Sequence, residues 1–249
     1  MGREVGRYSR AMARHYNFRN DLFTHQPVLF TVAEQCDGPI AECGCGFGST
    51  FFLHEIAERR GVKVVSLDSD ANWFRRFSHL ASENHEFRFV EDWQAELQRP
   101  EWDDRWGLVL VDQTDWSDRV LTVERVRTNA DYVILHDSSA SPPHGLGHTL
   151  RPVNGPRDLG ERDYDDAFSS WREFFPPEPW PNVDGPPTLL ASNRRDVNAF
   201  DVDYLRHLPY WWRIGRHARG VVPQALRMRL ANRIGWKIRP GFSDTQGRD

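Results

Sequence analysis

The chain has 249 residues, 12% of them aromatic, and a formal net charge of −4. That length suits one large α/β domain with an extension. Mean hydropathy is −0.66, and no apolar run approaches the roughly 18 residues that a membrane-spanning helix needs.

The opening MGREVGRYSRAMARHYNFRND lacks the apolar stretch of a signal peptide, and Gly6 stands where a myristoylation site needs Ser or Thr. Two short helices are expected at 7–18 and 24–36, the second with Pro27 in its first turn. PIAECG then reads as a short apolar strand, STFFLHEIAERRG as a helix stopped by Gly61, and VKVVSLD as a second strand. ANWFRRFSHLAS is a helix and HEFRFVED a strand. WGLVLVD and DYVILHD are apolar runs ending in acids, with helical WSDRVLTVERVRTNA between them. Strands alternating with helices of this length indicate βαβ units and a parallel sheet. Runs that are apolar throughout indicate burial on both faces.

After residue 138 the rhythm breaks into the Gly- and Pro-rich SSASPPHGLGHTLRPVNGPRDLGER. It follows the C-terminal end of a strand, where open α/β sheets bind ligands, and a long loop there reads as a lid. DYDDAFSSWREFF is expected to be a helix, PPTLLASN the last strand, and the stretch from about Phe200 two short basic helices. Residues 203–249 hold ten Arg/Lys against three Asp/Glu, a charge of +7, which leaves −11 on the rest. An acidic body with a basic tail means that the two face different surroundings. Cys36, Cys43 and Cys45, an odd and small number, read as reduced thiols of a cytoplasmic protein, and Cys43 and Cys45 have no second Cys/His pair to complete a zinc site.

The loop Glu42-Cys43-Gly44-Cys45-Gly46-Phe47-Gly48-Ser49 joins a strand to a helix, where phosphates and dinucleotides bind. Its spacing is G-x-G-x-G, one residue short of the nicotinamide fingerprint G-x-G-x-x-G, and there is no P-loop. Glu42 at the strand end disfavours a pyrophosphate and favours a cationic group.

IAECGCGFGS resembles motif I of the class I S-adenosylmethionine-dependent methyltransferases. The resemblance implies that Gly44, Cys45, Gly46, Gly48 and Ser49 cradle the amino acid part of the cofactor and that Glu42 faces its ammonium group. It implies that Asp68 takes both ribose hydroxyls, that Asp92 reaches the adenine amine, and that Trp93 offers a stacking face. It also implies that Asp112, after strand four, lies near the transferred methyl. The match runs over residues 38–138 in the family's order. The expected fold is a Rossmann-like, doubly wound, mostly parallel α/β sheet of the class I methyltransferase type with a small helical C-terminal extension. Residues 1–37 are N-terminal helices, 38–195 the S-adenosylmethionine-binding domain and 196–249 the basic extension.

Methyl transfer from a sulfonium needs alignment and, for a hydroxyl acceptor, a base. His136, with Asp112 and Asp137 at neighbouring strand ends, is the expected catalytic group, and His144 and His148 are further candidates in the following loop. Magnesium-dependent members of the catechol type use an Asp after strand four and Asp-Asn after strand five. Here Asp112 and Asp137 match, but Ser138 stands in place of Asn and no lysine follows Asp112, so no metal is expected. SPPH at 141–144 superficially resembles the S-P-P-Y box of amino-group DNA methyltransferases, but it follows the wrong strand. YWWRIGRHARG interleaves aromatics with arginines, which suits single-stranded nucleic acid or an anionic surface as well as a helical flap on the domain. The acidic body disfavours a polyanion. The expected activity is methyl transfer to a small-molecule hydroxyl, with no nucleic acid partner. The alternatives are a nucleic acid methyltransferase, a nicotinamide-dependent oxidoreductase and a catalytically silent cofactor-binding module.

Overall fold

A computed structural model describes residues 25–138, 167–174 and 188–199. The expected helix at 7–18, His144, His148, the SPPH segment and the basic extension beyond residue 199 lie outside the described residues.

Helix α1 (Gln26–Gln35) carries Pro27 in its first turn, where a missing N–H costs nothing. Strand β1 (Ile40–Cys43) leads through the glycine loop into α2 (Thr50–Arg60). Gly61 ends α2 at φ 63°, a left-handed cap that glycine adopts without strain. Then follow β2 (Val64–Asp68), α3 (Ala71–Phe77), β3 (His85–Phe89) and the short α4 (Trp93–Glu96). Next come β4 (Leu108–Val111), α5 (Trp116–Val126) and β5 (Val133–His136). Strands β6 (Ser170–Phe174) and β7 (Thr188–Ser192) complete one sheet of order β3-β2-β1-β4-β5-β7-β6.

The strands β1 to β5 are parallel, and β7 runs antiparallel between β5 and β6. The expectation of a helix over DYDDAFSSWREFF is corrected here, because residues 170–174 form an edge strand paired with β7. Phe168, Trp171 and Phe174 recur every three residues, a spacing that also fits a helix face. The free edge of β7 offers ladder hydrogen bonds that settle the choice.

Successive residues of each strand enter opposite cores, as the pleat requires. Ile40, Val64, Leu108, Leu110, Ile134 and Leu190 pack under α1 and α2. Ala41, Val65, Leu67, Val109, Val111 and Leu135 pack on the other face with Trp93, Trp102 and the buried side of α5. Side chains such as Leu29, Phe30 and Ile56 are fully enclosed, each contributing about 1.5–3 kcal/mol. Alternation also fixes where polar strand residues go: Glu42 shares a face with Ile40, under α2. At the far end of the sheet, buried Asp131 accepts from Arg105, Arg194 and Arg195, tying the start of β5 to the chain after β7.

The carboxyl ends of β1, β2, β4 and β5 share one rim. Strand order reverses between β1 and β4, so a crevice opens at that switch point. Thr188, the first residue of β7, pairs with His136 on one side and with Phe174 on the other, so the start of β7 and the end of β6 stand at the same rim.

Candidate functional site

Gly44 takes φ 102°, and a Cβ there would lie 2.4 Å from the carbonyl oxygen of Asp112. No other residue fits without moving the backbone. The glycine loop is thereby seated against the chain leaving β4. Gly46 differs: its φ is not left-handed, and a Cβ would meet nothing nearer than 3.7 Å. The fold itself does not require glycine at 46, so the bare backbone there is open to a close-lying ligand. Phe47, 46% exposed, rests its ring on Phe51, Trp73 and Phe77. Gln26 Nε2 donates to the Gly48 carbonyl at 2.9 Å, joining α1 to the loop. Ser49 precedes α2, and its N–H donates to the Gly46 carbonyl at 3.2 Å.

Glu42 is fully enclosed. Thr50 Oγ1 donates to its Oε1 at 3.0 Å and Ser66 Oγ donates to its Oε2. Thr50 Oγ1 also accepts the Gly46 N–H at 2.8 Å, so Glu42 is one hydrogen-bonded link from the loop backbone. Burial pushes its carboxyl up to about 7.

Asp68 ends β2 with both oxygens engaged. Oδ2 accepts the Cys45 N–H and Oδ1 the Asp70 N–H, each at 2.7 Å. Burial raises its carboxyl, and the two amides oppose the rise. Asp68 therefore shapes the loop directly. Asp92 caps α4, accepting the Gln94 N–H at 2.9 Å. Trp93 is buried in the core beside Val65 and Leu67, its Nε1 donating to Ser69 Oγ at 3.2 Å. A stacking role would need that ring uncovered.

At the ends of β4 and β5 the three expected catalytic residues meet. His136 Nδ1 lies 3.0 Å from Asp112 Oδ1, and its Nε2 lies 3.3 Å from Asp137 Oδ1. The imidazole is buried, while the Asp112 and Asp137 side chains are 22% and 36% exposed, so the group opens toward the crevice on its carboxylate side. Burial alone would lower the His136 pKa; Asp112 and then Asp137 more than reverse that and hold it above the usual histidine range. Burial alone would raise Asp112, but His136 and Arg119 hold it below the usual carboxylate range. Asp137 sits at φ 55°, a left-handed conformation that costs a non-glycine residue energy.

Two residues of this group carry no sequence signal. Arg119, buried on α5, donates to the carbonyl of Gln113 and, at 2.7 Å, to that of His136, and its Nη2 lies 3.2 Å from Asp112 Oδ1. It binds the ends of β4 and β5 together. His25, just before α1, meets the His136 ring edge-on at 4.3 Å between centroids. Arginine on an amphipathic helix and histidine just before a helix are both ordinary in sequence. Only the packing of α1 and α5 on the sheet brings them here.

A scan against protein-family models gives no match, and a search of curated proteins gives none. Among solved structures, the chain is similar to a protein from Galdieria sulphuraria assigned as a sarcosine dimethylglycine methyltransferase, at 15% identity over 47% of this chain and 46% of that one, with TM-score 0.32. It spans less than half the length of that protein. It is similar to a protein from Thermobifida fusca assigned as a methyltransferase, at 14% identity over 78% of this chain and 88% of that one, with TM-score 0.42. It is also similar to the plantazolicin methyltransferase BpumL in complex with SAH, at 11% identity over 77% and 90%, with TM-score 0.38. At these values the likenesses carry no argument, and the fold rests on the strand order described above: a Rossmann-like, doubly wound, mostly parallel sheet.

Proposed function

We propose that the chain transfers a methyl group from S-adenosyl-L-methionine to a hydroxyl of a small molecule. The observation that carries this reading is the meeting, at one switch point, of an open glycine loop and a histidine–carboxylate pair, with Gly44 seated on the backbone of Asp112 itself.

Gly44–Ser49 would hold the cofactor's amino acid part, with Glu42 acting on its ammonium through Thr50; Asp68 would hold its ribose and Asp92, at the rim, its adenine edge. Bound there, the cofactor would supply an electrophilic methyl group. Asp112 holds the Nδ1–H of His136, which leaves the lone pair on Nε2 beside Asp137. Such a base, oriented by a third group, is the arrangement that activates a hydroxyl. In methyl transfer to a hydroxyl, His136 Nε2 would take the acceptor's proton, with Asp112 orienting the ring. Arg119 keeps Asp112 ionised and the two strand ends in register.

Calorimetry with S-adenosylhomocysteine and with NAD tests this. Binding of the sulfur nucleoside and not of NAD is expected. NAD binding alone would favour an oxidoreductase, and nucleoside binding without turnover of any acceptor a silent module. Tight, steeply salt-dependent RNA or DNA binding would favour a nucleic acid methyltransferase.

A further inference from the structure

Beneath α2 a chain of hydrogen bonds runs from the glycine loop to the outside of the domain. The Gly46 N–H donates to Thr50 Oγ1 at 2.8 Å, and Thr50 Oγ1 donates to Glu42 Oε1 at 3.0 Å. Ser66 Oγ donates to Glu42 Oε2 and lies 2.8 Å from His85 Nε2. His85 Nδ1 lies 3.3 Å from His54 Nδ1. Glu42, Ser66 and His85 are buried on β1, β2 and β3, and His54, on α2, is half-buried. Thr50 and His54 are one helical turn apart, so a single face of α2 closes both ends of the chain over the sheet.

We propose that Ser66, His85 and His54 form a proton path between Glu42 and the surface, through which the glycine loop gains and loses one proton.

Donor counting supports it. Ser66 has one hydroxyl proton and stands between two groups, and two Nδ1 atoms face each other, so each link has two complementary states. With Glu42 ionised, Ser66 donates to Oε2, His85 Nε2–H donates to Ser66, and His54 Nδ1–H donates to His85 Nδ1. When a proton enters at the outer nitrogen of His54, its Nδ1 proton moves to His85 Nδ1. The Nε2 proton of His85 moves to Ser66, and the Ser66 proton moves to Glu42 Oε2. One proton enters, one carboxyl is protonated, and every hydrogen bond is remade in the opposite sense. His85 needs no lasting charge, in keeping with the burial and His54 contact that hold it down to about 3. Thr50 donates to Oε1 in both states, so the proton belongs on the Ser66 side.

The other groups facing Glu42 hold no cation among the described residues. Asp112 at the end of β4 acts on it as an anion, and Cys43 and Cys45 flank it as thiols that burial keeps protonated. Neutralising Glu42 therefore falls to a proton. The use of the path by a cofactor ammonium rests on the methyl-transfer reading; the path itself does not.

Infrared spectroscopy of the full, nucleoside-free chain tests it, reading the carbonyl stretch of a protonated carboxyl after a pH jump. A band that titrates near neutral pH and vanishes in Glu42→Gln is expected. In His85→Phe its response to the jump should slow by roughly 10²-fold, while exposed His79→Phe leaves it unchanged. Ser66→Ala should slow it likewise, should His85→Phe fail to fold. A Glu42 band that keeps pace with the jump in both variants, or no Glu42 band at all, overturns the proposal. Because no nucleoside is present, this outcome is independent of whether S-adenosylhomocysteine binds.

Discussion

The carbonyl oxygen of Asp112 occupies the space that a side chain at Gly44 would need: an added Cβ would lie 2.4 Å from it. The loop proposed to hold the cofactor and the acid proposed to orient the base are thus fixed to each other through backbone.

Two glycines of the same motif should respond differently to one methyl group. Gly44→Ala combines a left-handed φ with a backbone clash, and should destabilise the fold by roughly 2–5 kcal/mol in urea titration. Gly46→Ala should shift stability by no more than about 1 kcal/mol while lowering S-adenosylhomocysteine affinity by roughly tenfold or more, about 1.4 kcal/mol. Equal losses of stability in the two variants would show that both glycines serve only the chain.

Asp68 should reveal two roles at once. In Asp68→Asn an amide NH2 must face either the Cys45 or the Asp70 N–H. One amide then loses its acceptor, at a cost of roughly 1–3 kcal/mol if it is the buried Cys45 N–H. Nucleoside affinity should fall by roughly tenfold as the charge on the ribose side is lost. Calorimetry and chemical denaturation on the same preparation separate the effects, and unaltered affinity would leave Asp68 as a brace for the loop.

Glu42 sets a pH dependence whose sign follows from its burial. Burial pushes its carboxyl up to about 7 in the folded chain, against an ordinary 4.5. The folded state therefore binds more protons between those values, and stability falls as pH rises through that window. The contribution is complete below the unfolded value and lost above about 7, with a slope up to about 1.4 kcal/mol per pH unit. Glu42→Gln should flatten this slope in denaturation curves taken from pH 5 to 8. Ammonium binding favours the ionised carboxylate, so nucleoside binding near pH 6 should release a proton, measurable by calorimetry in buffers of different ionisation enthalpy.

His136→Ala should lower kcat by roughly 10²–10⁴ with nucleoside affinity unchanged. Wild-type rate should rise with pH through a midpoint above the usual histidine range, because Asp112 and Asp137 favour the imidazolium and the base must be neutral. A variant that loses stability but keeps its rate per folded molecule would make His136 a core residue.

The parallel part of the sheet was legible because strands buried on both faces read as unbroken apolar runs, and the site positions because they end those runs. What could not be read was contact across the sheet. Ser66 and His85 look like minor polar interruptions of apolar strands until strand pairing sets Ser66 beside Glu42 and His85 within reach of Ser66. Arg119 and His25 reach His136 only through helix packing. Trp93 shows the converse: residue type suggested an open stacking face, and the core claimed the ring. Strand β6 was misread because aromatics three residues apart mark a helix face, and the edge that draws them into the sheet lies some twenty residues further along the chain.

The antiparallel seventh strand has a consequence for how the domain can diversify. Because Phe174 and Thr188 face each other beside His136, the ends of the two outer strands stand at the crevice mouth. Neither strand takes part in the pairing of β1 to β5 with one another, so substitutions at these ends leave that register unchanged. The mouth can therefore be reshaped from β6 and β7, leaving the glycine loop, Asp68 and the Asp112–His136 pair in place.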